Sequence, residues 1–237
     1  EELRDILDPI SFTTKADQKA SNLLKNLIQT IDKSAVIVSE EDSFFNANRK
    51  NPYWIIDPID GTASWFDGFD GFVTQVAYIK NKEPIIGIIY APVLDKMWHA
   101  VEGEGAFLNG RRITSNSNYD KGNNKLCLVD NYPNPRGISK KVFDSMSLSH
   151  YLESGSLGLK SVLVADGTVD IFIKDVIMRD WDIAPAYVII KEVLGKMCDL
   201  NGSDIKFNEA YEKNNGLLVT RNSRVSRAVL DALNIGV

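Results

Sequence analysis

A chain of 237 residues, 44% hydrophobic and 25% charged, is long enough for one large core or two smaller fused ones. Its net charge of -5 at pH 7 argues against a general nucleic-acid binder, which would carry a basic surface. No apolar run approaches the length of a membrane span and no signal-peptide pattern is present, so a cytoplasmic protein is expected.

Taken in chain order, the first clear element follows Thr14. Thr14-Lys15-Ala16-Asp17 reads as a helix cap with an acid three residues on, and Leu23, Leu24, Leu27, Ile28 and Ile31 recur behind it at helical spacing. Residues 36–38 form a short apolar strand leading into Ser39-Glu40-Glu41-Asp42. Residues 53–56 form another, ended by Pro58, which fixes its own φ and lacks an N–H. Residues 72–80, 85–91 and 96–101 are β-like, and Asn81-Lys82 makes a tight turn between the first two. Successive strands on short connections predict an antiparallel sheet. A polar stretch over residues 116–124 marks a boundary between 1–120, an α+β half, and 121–237, an α/β half. In the second half, strands over 126–129, 169–173 and 217–220 alternate with helices over 139–146, 157–165, 182–194 and 225–233. Cys127 and Cys198 sit among apolar neighbours and read as buried thiols in a reducing compartment.

The chemistry lies in the acids. Glu40 and Asp57 each follow an apolar strand, Asp60 lies three residues beyond Asp57, Asp182 follows Trp181 at a helix start, and Asp17 opens the first helix. Carboxylates near a core are costly unless neutralised, and a hard cation such as magnesium, which takes oxygen ligands, does this well. In Asp57-Pro58-Ile59-Asp60-Gly61-Thr62 the turn aims two carboxylates at one region and leaves the Ile59 carbonyl free. Gly61 lets backbone approach a ligand, a helix starting here would offer N–H groups to phosphate, and Thr62 adds a hydroxyl to orient a water. Taken singly, Asp-Pro and Asp-Gly are turn formers, Glu40-Glu41-Asp42 is a solvated turn, and Asp17 and Asp182 are capping acids. Their joint occurrence carries the reading. His99 and His150 have structural or exposed positions, and no Ser, Cys or His is placed as a nucleophile.

These residues resemble the inositol monophosphatase superfamily of metal-dependent, lithium-inhibited phosphatases. The first signature is the apolar strand with Asp57-Pro58-Ile59-Asp60-Gly61-Thr62 and an aromatic, here Trp65 where Phe or Tyr is usual. The second is Trp181-Asp182-Ile183-Ala184-Pro185-Ala186. Gly87 to Pro92, Glu102 to Gly110, Gly155-Ser156-Leu157 and Val164 to Gly167 extend the likeness. The resemblance implies a layered αβαβα sandwich, with an antiparallel sheet in the first half and a mixed sheet in the second. It implies that Glu40, Asp57 and the Ile59 carbonyl hold one magnesium ion. Asp57, Asp60 and Asp182 hold a second, and Asp17 and Glu40 lie near a more weakly held third. It makes Thr62, helped by Asp17, the group that orients the attacking water, with Asp60, Gly61 and Thr62 on the phosphate and Asp175, Gly155 and Ser156 toward the rest of the substrate. Many members are dimers, so a homodimer is the corresponding expectation.

For the substrate, Ser39-Glu40-Glu41 and Ile88 to Val93 resemble the CysQ-type 3′(2′),5′-bisphosphate nucleotidases. Asn109-Gly110-Arg111-Arg112-Ile113 and Asp175 resemble the inositol monophosphatases. The nucleotidase is the first expectation, inositol-1-monophosphatase the second and fructose-1,6-bisphosphatase the third. A non-catalytic role in association with RNA or transcription is the reading of a different class.

Overall fold

The computed structural model describes residues 6–8, 13–42, 52–114, 125–207 and 210–233, with backbone alone for 6–8. The 116–124 boundary segment lies outside them. Two large sheets come from successive stretches of chain. The first contains β3 (Ile37–Ser39), β4 (Tyr53–Asp60), β5 (Val73–Lys80), β6 (Glu83–Ala91), β7 (Lys96–Val101), β8 (Gly105–Leu108) and β9 (Arg111–Arg112), hydrogen-bonded in that order. The β5–β6 turn is formed by Asn81 and Lys82, both at positive φ. All pairs are antiparallel except β3–β4, which is parallel. The sheet is thus antiparallel as expected but for its edge strand β3, which runs parallel to β4.

The second sheet is mixed, in the order β11 (His150–Glu153), β10 (Cys127–Asp130), β12 (Ile171–Lys174), β16 (Leu217–Thr220) and β14 (Lys196–Cys198). The β11, β10 and β12 strands run parallel, while β16 is antiparallel to both its neighbours.

Side-chain alternation along the strands separates the layers. On the outer face of the first sheet, Leu24 and Ile28 of α1 (Lys15–Ile31) pack against Ile56 and Val76. On its inner face, Ile55, Ala77, Ile89 and Trp98 meet α4 (Leu157–Ala165) and α5 (Asp180–Glu192), which also pack on Val129, Phe172 and Val219 of the second sheet. The intervening residues Leu128, Ile171, Ile173 and Leu218 point the other way, onto Val142 of α3 (Gly137–Ser145) and Val225 and Val229 of α6 (Ser223–Ala232). The result is the αβαβα sandwich. Its central helix layer is apolar all round: eight of the nine residues of α4 are buried, as expected of a helix between two sheets.

Two boundaries differ from expectation in a way that shapes the site. Pro58 does not end β4; the strand continues to Asp60 across a register shift between Asp57 and Asp60. A proline can sit in a sheet at such an irregularity, where no ladder N–H is required, and its carbonyl accepts from Thr74 Oγ1 at 2.8 Å. Helix α5 begins at Asp180, so Asp182 is its third residue and reaches back to the Arg179 N–H at 2.6 Å.

Candidate active site

Four elements deliver the acids to one place. The parallel β3–β4 pair sets Glu40 and Asp57 side by side, with the Glu40 N–H on the Ile56 carbonyl at 3.2 Å. The irregular end of β4 turns Asp60 toward the same region. Helix α5 brings Asp182, and the capping box of α1 brings Asp17. Asp17 Oδ2 accepts from the Thr14 N–H at 2.7 Å and from the Thr14 hydroxyl at 2.5 Å. Its other oxygen lies 3.1 Å from Thr62 Oγ1, which is also 3.0 Å from the Ile59 carbonyl. Gly61, at φ 90°, takes the left-handed turn that starts α2 (Thr62–Asp67), and there a side chain would be strained.

Asp60 is held by backbone. The first turn of α4 donates Gly158 N–H to Oδ2 at 2.6 Å and Leu157 N–H to Oδ1 at 3.3 Å. Ser156 caps that helix through Leu159 N at 3.1 Å and also hydrogen-bonds Asp60. Gly155 and Ser156 thus support Asp60: the Ser156 N–H ties the segment to the Gly71 carbonyl at 2.6 Å, and the buried Lys160 ammonium donates to the Gly155 carbonyl.

The acids repel one another. Burial raises Glu40 to about 7, with Asp60 adding to the rise and a hydrogen bond to Asp57 opposing it. Burial, then the charges of Glu40, Asp60 and Asp182, push Asp57 well above the usual carboxylate range. Asp182 is raised in the same way, by burial and then by Asp60 and Glu40. Asp60 is raised by burial against the pull of its N–H donors and Lys160. Glu41, on the flank and bonded by Gln18 Nε2 at 3.0 Å, is also raised to about 7 by burial and by Glu40.

Buried acids in mutual repulsion, with Asp57 Oδ1 meeting no donor, form a donor set suited to a hard divalent cation. As the side chains stand, no three acidic groups among the described residues form a ready coordination cluster.

The expected substrate residue Asp175 is exposed and apart from this cluster. It borders a cavity of about 300 Å³ with Asp130, Tyr132, Arg136 and Lys174. The cavity is linked to the acids through the Lys160 ammonium, which burial lowers to about 8 and which feels the charges of Asp60, Lys174 and Asp130. Arg136 stands 4.5 Å from the centre of the Tyr132 ring. Of the other singled-out side chains, His99 stacks on Phe107, His150 is exposed at the start of β11, and Cys198 is buried. Cys127 is only half-buried, since the first residue of β10 lies at the rim of the sheet. No helix among the described residues is long and apolar enough to cross a membrane.

Motif reading missed Lys160, Gly158 and Gln75. Gln75 carried a signal: it is a polar residue in register with the inward-facing Val73, Ala77 and Ile79 of an alternating strand. Lys160 sits on a helix buried on every side, so no amphipathic pattern exposed it.

An αβαβα sandwich with an acid cluster at the junction of its first sheet and central helices defines a metal-dependent phosphoric monoester hydrolase. The chain belongs to the inositol monophosphatase family, whose model matches residues 7–234. It is 31% identical over 225 residues to a fructose-1,6-bisphosphatase/inositol-1-monophosphatase of Thermotoga maritima, covering 94% of this chain and 85% of the relative. It is 27% identical over 201 residues to a 3′(2′),5′-bisphosphate nucleotidase CysQ of Aggregatibacter actinomycetemcomitans, covering 83% and 75% of the two chains. Among solved structures, an IMPase/NADP phosphatase complexed with Mg2+ and phosphate superposes with a TM-score of 0.80 at 25% identity, covering 94% of this chain and 82% of the other.

Proposed function

We propose that this phosphatase hydrolyses a 3′(2′),5′-bisphosphate nucleotide, using magnesium held by Glu40, Asp57, the Ile59 carbonyl, Asp60 and Asp182. Magnesium, when bound, lowers the pKa of a water and offsets the negative charge of the phosphate. Glu40, Asp57 and the Ile59 carbonyl would hold one ion, and Asp57, Asp60 and Asp182 a second. The Thr62 hydroxyl has one proton and two acceptors within reach, Asp17 Oδ1 and the Ile59 carbonyl. Donating to either leaves its lone pairs to accept from the attacking water and so to aim it. Asp17 and Glu40 are the bases placed to receive the proton that this water loses. The backbone at Gly61 and Thr62 faces the phosphate, and the buried neighbours of Asp60 keep bulk water from that side.

The observation that carries the substrate choice is the cavity beyond Lys160. Its exposed Arg136 lies against the Tyr132 ring, which suits a ligand with both an anionic group and a flat base. The likeness to a CysQ nucleotidase supports the same choice. Asp175, an exposed acid at the cavity edge, favours a polyol as the second reading, since a carboxylate accepts hydrogen bonds from sugar hydroxyls.

The test is phosphate release with magnesium from adenosine 3′,5′-bisphosphate, inositol 1-phosphate and fructose 1,6-bisphosphate. The nucleotide should give the highest kcat/KM, and Arg136→Ala should raise KM for it alone. A preference for inositol 1-phosphate that is insensitive to Arg136 would transfer the assignment to the inositol monophosphatases.

A further inference from the structure

Gln75 lies at the middle of β5, fully buried and directly across the ladder from Asp57. A primary amide at that depth is costly unless its groups are used. Its Nε2 lies 3.3 Å from Asp57 Oδ2, 3.2 Å from Asp60 Oδ2 and 3.4 Å from the main-chain carbonyl of Asp182. All three neighbours are acceptors, which fixes the orientation of the amide with its nitrogen toward the acids. On the other side, Oε1 meets no donor and lies against Gly158. A Cβ at residue 158 would stand 2.4 Å from that oxygen and 2.9 Å from Asp60 Oδ2. The bare backbone of Gly158 therefore makes room for the Gln75 amide, and the same residue donates its N–H to Asp60.

The oxygens left over are the informative ones. Asp57 Oδ1 is buried without a donor, and Asp60 Oδ1 has the longer of that acid's two backbone contacts, 3.3 Å from the Leu157 N–H. We propose that Gln75 is a positioning residue of the cation site: its amide holds the Oδ2 atoms of Asp57 and Asp60 so that their Oδ1 atoms are presented to the ion. A neutral amide suits this work, because it donates two hydrogens without adding charge. It orients both carboxylates and leaves their neutralisation to the cation. A lysine here would compete with the ion, and an apolar side chain would take the amide away from Asp57 and leave Asp60 to its donors on α4. The inference rests on Asp57 and Asp60 being ligands, as proposed above.

The test is isothermal titration of magnesium, with manganese as a second probe, into the wild-type protein, Gln75→Met and Gly158→Ala. Methionine keeps the volume and removes the amide; the alanine Cβ keeps the amide and displaces it. Each should weaken metal binding by about ten- to a hundred-fold, the range for lost outer-shell contacts. KM for substrate at saturating magnesium should stay near the wild-type value. In the double variant, Gly158→Ala should cost less than it does alone, because the amide oxygen it meets most closely is gone and only its approach to Asp60 Oδ2 remains. Unchanged or tighter metal binding in Gln75→Met, with wild-type binding intact, would show that the amide only fills space or competes with the ion. Failure of wild-type protein to bind magnesium would instead sink the ligand assignment beneath the proposal. If Gln75→Met does not fold, Gly158→Ala alone decides, since normal metal affinity there refutes a role for the amide's position.

Discussion

Two sets of buried aspartates occupy the same molecule and are treated in opposite ways. Asp130, Asp170 and Asp180 each have a cation from the chain: Lys174 at 2.6 Å, Arg221 at 2.6 Å and Lys213 at 2.9 Å. Asp57, Asp60 and Asp182 have amides and one another, and among the described residues Lys160 and Arg179 act on them without forming an ion pair. Asp180 and Asp182 stand two residues apart on one helix, and only the first is paired with a chain cation. A fold that can supply lysines and arginines to buried acids has withheld them at one place. The difference separates acids that complete a structure from acids that require a charge from outside.

The contrast can be broken hardest at Asp57. Asp57→Asn should abolish phosphate release with magnesium. In EDTA the same variant should melt above the wild type, because one of four repelling acids is gone; a lower melting temperature would mean that Asp57 stabilises the metal-free protein. Thr62→Ala should lower kcat by roughly a hundred-fold or more, the usual share of a group acting in proton transfer, with little change in magnesium affinity by calorimetry. On the paired side, Lys213→Met removes the cation 2.9 Å from the buried Asp180 and should cost about 3–5 kcal/mol in urea unfolding. That loss should be the same with and without magnesium, and its rescue by magnesium would erase the distinction between the two sets.

The smallest effect is with pH. Glu40 is raised to about 7 when folded and ionises near the ordinary glutamate value of 4.5 when unfolded. Between those values the folded state binds the extra proton, as it also does at the raised Glu41, Asp57, Asp60 and Asp182, so stability of the metal-free protein should fall as pH rises from 4.5 through 7. Magnesium should abolish this slope, because it favours the ionised acids. Chemical unfolding at four pH values, with and without magnesium, measures it.

Much of this was legible beforehand for a physical reason. The acids follow apolar strands and the cap of α1 has its own local pattern, so Asp17, Glu40, Asp57, Asp60, Thr62 and Asp182 could be read from short-range chemistry. The division into an antiparallel half and an α/β half followed from the strand and helix patterns, while the αβαβα layering was implied by the family resemblance. What escaped depends on non-local pairing. The β3–β4 match pairs residues 37–39 with 54–56, the β4 irregularity depends on how Pro58 fits a ladder, and the reach of Gln75 on its place opposite Asp57. The weak strands β9 and β11 have two and four residues and no periodicity of their own.

The capping box of α1 has a consequence beyond the helix. The Asp17 carboxylate that closes the box with Thr14 also meets the Thr62 hydroxyl. With Thr62 in the role proposed above, the first turn of the helix and the aim of the attacking water are one latch. Fraying at that end, which requires far less than global unfolding, would release Thr62 while the core stays intact. Activity on warming should then disappear several degrees before the bulk melting transition, so that a failing molecule stops turning over before it loses its shape.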